Sequence, residues 1–159
     1  DVFPNVSGML SRGLNFGNTS SKITIELAEK VLDNNGLLIS EYEPDQKETQ
    51  FSGSKASRIQ AGISNALILI QSKKDGGSKY TLKAFSELSR PLGIVDFKDN
   101  QEFQISENFS GNRLLLEKGL EGIAEMCDIK KKETIRISKL IKISQKSDYI
   151  NFEKEISMK

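Results

Sequence analysis

The sequence predicts an α/β fold, a parallel sheet with helices packed on its faces. Three observations point there. Short runs at residues 36–42, 66–70 and 91–97 are mostly apolar and do not alternate with polar residues. Strands of that kind are covered on both faces, which is the habit of parallel sheets. Between the runs lie segments of helical period, and glycine or polar turns stand at the junctions.

Taken in order, residues 1–6 (Asp-Val-Phe-Pro-Asn-Val) read as the end of a strand, and residues 7–19, rich in glycine, serine and asparagine, as a loop. Thr19 or Ser20 is the expected N-cap of a helix over residues 22–33, where Ile23, Leu27 and Val31 recur at helical spacing. Asn34, Asn35 and Gly36 supply its stop. A central parallel strand is expected at 36–42, a polar connection at 44–49, and a helix at 52–64 with Ile59 and Ile63 on its packed face. A strand at 66–70, a glycine loop and a helix at 80–89 with Leu82, Phe85 and Leu88 on one side come next. Residues 91–97 form another buried strand. Residues 99–110 read as a polar loop, 111–120 as a turn opening a short helix, and 121–129 as a brief strand and helix. From Ile135 to Ser144 isoleucine and lysine interchange in a way that fits a strand and an amphipathic helix equally, and the chain's last residues are expected to lack regular structure.

Composition narrows the chemistry. At 159 residues, 28% charged and 36% apolar, the chain suits one compact domain with a real core. It contains no histidine, which excludes Ser-His-Asp hydrolysis, imidazole acid–base catalysis and most zinc or iron sites. A single cysteine, Cys127, forms no internal disulfide and reads as a buried spacer. No run approaches the roughly 20 apolar residues of a membrane-spanning helix, and no secretory leader opens the chain, so a cytoplasmic location without membrane contact is expected. Neither a metal nor a cofactor is expected.

Net charge is +1, but its distribution is uneven. Residues 1–46 carry 3 basic and 7 acidic side chains, 47–90 carry 8 and 3, 91–129 carry 3 and 8, and 130–159 carry 9 and 4. The basic centre coincides with the stretch 73–81, Lys-Lys-Asp-Gly-Gly-Ser-Lys-Tyr-Thr. A glycine loop between a strand and a helix directs free backbone N–H groups and the helix dipole at one spot, where an anion is favoured. Gly-Gly-Ser is also ordinary turn chemistry, and a lysine-rich face is often merely solvated.

Four pieces of the chain, in order and at matching spacing, resemble the DNA processing protein A family, a Rossmann-like branch related to the LOG proteins. They are Gly-Leu-Leu-Ile-Ser-Glu-Tyr at 36–42; Phe51 followed by Arg58, Ile59, Gln60, Ala61, Gly62, Ile63 and Ser64; the apolar strand at 66–70 with Gly76, Gly77, Ser78 and Thr81; and Gly111, Asn112, Leu114, Leu115 and Gly119. The resemblance implies a Rossmann-like parallel sheet with helices on both faces. It departs from the family pattern at Ala56 and Ser57, where the family has Arg and Asn, and Phe51 lies two positions further upstream. Lys55 stands in for the missing cation as a point charge. The family's upstream half, with its Gly-Ser-Arg motif, and its winged helix have no counterpart. The resemblance therefore implies an incomplete domain: residues 1–129 as the C-terminal portion of the Rossmann-like domain, and 130–159 as a basic extension.

The implied function is single-stranded DNA binding, handing the strand to a RecA-type recombinase, with a homodimer as the working form of the full-length protein. The implied contacts are Phe51 for base stacking, Lys55 and Arg58 for phosphates, and Gly76, Gly77, Ser78, Thr81 and Asn112 around the glycine loop. Phe51 equally suits a core position, Asn112 a helix cap before Arg113, and Asp96 either a ribose-binding acid or a strand-end turn. Two alternatives stand beside DNA binding. One is a small phosphorylated ligand held without chemistry. The other is a LOG-type nucleotide phosphoribohydrolase, whose motif places a glutamate after the loop's threonine where this chain has Leu82, Lys83 and Ala84.

Overall fold

The computed structural model describes residues 5–157. The chain divides into two compact units between Gln60 and Ala61. Each is a parallel β/α arrangement, as the apolar runs predict.

In the first unit, β1 (Ser7–Met9) pairs in parallel with β2 (Leu37–Ile39), Gly8 lying opposite Leu38. Between them run a short helix, α1 (Phe16–Thr19), and α2 (Lys22–Asp33). Helix α2 occupies the predicted residues and buries Ala28 and Val31. Its N-cap is Ser21, not Thr19 or Ser20: the Ser21 hydroxyl accepts from the Thr24 amide at 3.4 Å. At the other end Asn35 takes a left-handed conformation (φ 58°), so that its N–H reaches Leu32 O and the Gly36 N–H reaches Val31 O. This pair of bonds satisfies carbonyls that the last helical turn leaves open.

Two expectations are corrected in this unit. Residues 7–9 are a strand, not part of a loop, and β2 is hydrogen-bonded to β1 alone among the described residues. The strand end predicted at 1–6 lies partly outside the described residues, and Asn5 and Val6 are not in a strand. Helix α3 (Ser52–Ile63) spans the division between the units. Its start is fixed by Thr49 and Ser52, whose backbone and hydroxyl groups bond reciprocally.

The second unit holds a three-stranded parallel sheet in the order β3 (Leu67–Leu69), β4 (Pro91–Val95), β5 (Lys139–Ile143). Side chains of β4 alternate between its faces. Leu92 and Ile94 join Leu69, Leu82, Phe85, Leu115, Ile123 and Met126 under α4 (Ser78–Ser86), α6 (Ser110–Lys118) and α7 (Leu120–Met126). Val95 joins Ile143 and Phe152 under α8 (Lys146–Ser157). Helices thus cover both faces of this sheet, and each fully buried Leu or Phe contributes about 1.5–3 kcal/mol of burial. Cys127 is buried, and desolvation pushes its thiol up to about 11.

Residues 99–110 are not a polar loop. They contain α5 (Gln101–Ile105) and a 3-10 turn (Glu107–Phe109), which bury Phe103 and Phe109. Residues 120–126 are helix, with no strand. Within the ambiguous stretch 135–144 the structure has a strand, β5, and the last residues, where no regular structure was expected, form α8 as far as Ser157. Arg90 steadies the end of α3 by donating to the Ala61, Gly62 and Ser64 carbonyls at 3.3, 2.9 and 2.6 Å. Among the described residues no helix is long and apolar enough to cross a membrane.

Candidate functional site

The predicted contact residues fall into two groups, one on each unit. In the second unit β3 ends at Leu69, and the glycine loop follows at the carboxyl end of the strand, where open α/β sheets bind their ligands. The Gly76 amide donates to Lys73 O at 3.1 Å, closing the turn. Gly77 is the N-cap of α4, with an ordinary helical backbone (φ −60°, ψ −27°) and no side chain to cap it, while the Lys79 and Tyr80 amides donate to Gly76 O and Gly77 O at 3.2 and 3.1 Å. A Cβ on Gly77 would meet nothing within 4 Å, so the mouth of the loop is open. Ser78 directs its hydroxyl to Ser72, which is buried behind the loop. Thr81 lies one turn into α4 and is half-buried.

Helix α6 pins this loop. The Gly111 amide donates to Ser72 O at 2.9 Å, an approach that leaves no room for a side chain because a Cβ there would stand 2.9 Å from the same oxygen. The Ser110 hydroxyl accepts from the Lys74 amide at 3.0 Å. Asn112 lies inside α6 and does not cap it. Its side chain is fully buried: Oδ1 accepts from the Ser72 amide at 2.8 Å, and Nδ2 donates to Leu69 O, Ile70 O and Val95 O at 3.1, 3.0 and 3.1 Å. One amide group thereby ties the carboxyl ends of β3 and β4 to the loop.

The lysines around the loop differ in their freedom. Lys74 Nζ is 2.7 Å from Glu125, which also accepts from Lys118 at 2.8 Å. The hydrogen bonds from Lys118 and Lys74 hold the Glu125 carboxyl down at about 2. Lys79 sits over its neighbour, 5.8 Å from the centre of the Tyr80 ring. At the end of β4, Asp96 is buried and bonded to Lys142 Nζ at 2.5 Å, while its amide donates to Ile143 O at 2.8 Å.

In the first unit the three predicted contacts share one helical face. The Lys55 amide donates to Phe51 O at 3.2 Å, so helical geometry already holds at Phe51. Phe51, Lys55 and Arg58 then stand at i, i+4 and i+7, a spacing that stacks side chains along one side. All three are exposed, Phe51 at 65% and the Arg58 side chain at 64%. Phe51 is therefore not a core residue. The guanidinium of Arg58 donates through one nitrogen to both oxygens of Glu41, at 3.0 and 2.9 Å.

Glu41, Phe97 and Lys142 were not singled out by sequence reasoning. Nothing local marks Glu41 or Lys142, whose partners are distant in the chain. A signal did exist for Phe97: it is the first of three phenylalanines spaced six apart, Phe97, Phe103 and Phe109, whose rings meet in one cluster.

Parallel strands joined through helices, with an open glycine loop entering a helix at a strand's carboxyl end, make this a Rossmann-like α/β protein. The model of the family described as DNA recombination-mediator protein A matches residues 5–133, and the chain belongs to that family. It is the family that the four sequence motifs resemble, and it connects the chain with DNA processing and recombination. Nothing among curated proteins or solved structures matches the chain.

Proposed function

We propose that this protein binds single-stranded DNA without catalysis and delivers it to a RecA-type recombinase, as in DNA uptake and recombination. The observation that carries the reading is the exposed stripe of Phe51, Lys55 and Arg58 along one helical face. An aromatic ring followed by two cations is the arrangement that single-strand binding uses. Bases stack on the ring at about 1–3 kcal/mol each, and phosphates pair with the cations.

The glycine loop adds a second contact of the same chemistry. Gly77 and Ser78 offer backbone amides at an open helix start, with the turn closed behind them by Gly76 and with Thr81 one turn into the helix, and Asn112 positions the loop from within. Residues 130–159, with 9 basic and 4 acidic side chains, include β5 and α8 and bring further positive charge to the second unit. A cytoplasmic location and a homodimeric working form belong to the same reading. The segment after Thr81 lacks the glutamate that a LOG-type phosphoribohydrolase would need.

The experiment is a fluorescence-anisotropy titration of the chain with labelled oligo-dT across a range of salt concentrations. Binding should weaken steeply with salt, and Arg58→Ala should weaken it across all sequences and lower the log–log salt slope by about 0.7–1. An unchanged slope removes Arg58 from the interface. The open mouth at Gly77 also suits a small phosphorylated ligand. If free nucleotide binds and oligo-dT does not, that reading replaces DNA.

A further inference from the structure

We infer that Phe97 is a second base-stacking platform, at the carboxyl end of β4, so that a bound single strand runs along the ends of successive strands. The inference rests on the single-strand reading above and adds a site to it.

Phe97 directly follows buried Asp96 at the end of β4 and is 39% exposed. It is held in place from behind. The Phe103 ring, 2% exposed, meets it at a centroid distance of 5.9 Å and an interplanar angle of 66°. The Phe109 ring, 9% exposed, meets it at 5.7 Å and 69°. Both are edge-to-face contacts, the favoured arrangement for aromatic pairs. An exposed ring fixed this way loses little further freedom when a base settles on it, which is what a stacking platform requires.

The surroundings suit a neutral base carried on a charged backbone. A shallow cleft of about 180 Å³ has Phe97 in its wall, with Lys98, Asp99 and Ser144. A larger one of about 470 Å³ shares Lys98, Asp99 and Ser144 with it and adds Lys142 and Asp148. Two of the acids near the ring are already engaged. Asp96 is paired with Lys142, and the Asp148 carboxylate accepts from the Ser144 and Gln145 amides at 2.9 and 3.1 Å. Lys98 is the exposed cation next to the ring in sequence and reaches a phosphate flanking the stacked base.

The platform is also tied to the glycine loop. Asn112 bonds both Ser72, at the root of the loop, and the carbonyl of Val95, two residues before Phe97. Adjacent strand ends lie about 5 Å apart, so the loop after β3, Phe97 after β4 and Lys142 on β5 follow one another along one edge of the sheet.

The chain has no tryptophan, so Phe97→Trp installs a single reporter whose emission a stacked base quenches. The full chain carrying Phe97→Trp is titrated with unlabelled oligo-dT and with an abasic strand of equal length, and Ile23→Trp, on an exposed residue of the first unit, serves as control. Quenching of Phe97→Trp by oligo-dT alone, with Ile23→Trp unaffected, supports the platform. Phe97→Leu should bind oligo-dT about tenfold more weakly with an unchanged salt slope, since no phosphate contact is lost. If oligo-dT binds by anisotropy while Phe97→Trp is not quenched and Phe97→Leu binds like the parent, the platform is rejected and the single-strand reading stands. If the parent chain binds no oligo-dT, both are rejected. A melt of Phe97→Trp close to the parent's shows that the aromatic cluster is intact.

Discussion

Glu41 holds Arg58 through both of its carboxylate oxygens, at 3.0 and 2.9 Å, on a side chain that is otherwise turned to solvent. An ion pair in that setting stabilises the fold by at most about 1 kcal/mol, yet it occupies the cation that the proposed interface offers to phosphate. Glu41→Gln should therefore leave the melting temperature nearly unchanged and tighten oligo-dT binding by about two- to fivefold at low salt. Anisotropy titrations of the two proteins side by side check this. Equal affinities would show that the pair does not compete with the strand.

Asn112 predicts the opposite pattern. Replacing it by alanine leaves the Ser72 amide and the Leu69, Ile70 and Val95 groups without their shared partner in a buried place. Orphaned buried groups cost about 1–3 kcal/mol each, part of which entering water recovers, so Asn112→Ala should lose about 3 kcal/mol in urea denaturation. A loss below about 1 kcal/mol would mean that the side chain is held there for a ligand and not for the fold.

Acid should test the tether between Lys74 and α7. Hydrogen bonds from Lys118 and Lys74 lower the Glu125 carboxyl from its ordinary value near 4.5 to about 2. A carboxyl whose folded value is depressed stabilises the fold fully above its unfolded value, and that contribution fades as pH falls towards the folded one. The stability difference between the parent and Glu125→Gln should be constant above about pH 5 and shrink between about 4.5 and 2. The carboxyl-carbon NMR shift of Glu125 should hold steady down to about pH 3. Titration near 4.5 would show that neither lysine holds the carboxylate in solution.

The legible parts of the fold were those whose signal is local. Ile23, Leu27 and Val31 mark α2, and Asn34, Asn35 and Gly36 close it where the left-handed Asn35 does. The continuous apolar runs mark β2, β3 and β4, although only β4 is buried along its whole length, as a parallel strand covered on both faces should be. Residues 7–9 escaped because Ser-Gly-Met carries no β-branched residue, and their partner lies thirty positions along the chain, at Leu37–Ile39. In α5 and the turn after it, two buried phenylalanines stand among polar neighbours, too sparse a pattern for a five-residue helix. Thr19, Ser20 and Ser21 are chemically equivalent caps, and only the chain's path selects Ser21.

The site divides in the same way. The position of the glycine loop followed from strand, turn and helix signals in sequence. What each side chain does there depended on partners brought in by the fold: Glu41 on Arg58, Glu125 on Lys74, and three carbonyls on Asn112. Exposure separated the two readings of Phe51, since a ring standing next to an isolated helix start carries the same sequence signal whether it points in or out.

The third strand of the second unit comes from residues 139–143, past the last residue that the family model matches. A researcher trimming the chain to residues 5–133 for expression would remove β5 and α8 together. Val95 and Ile68 would lose Ile143 and Phe152 from above them, and the backbone of β4 would become a bare, apolar edge. Such edges recruit strands from neighbouring molecules. The shortened protein would be expected to precipitate, and its insolubility would say nothing about DNA.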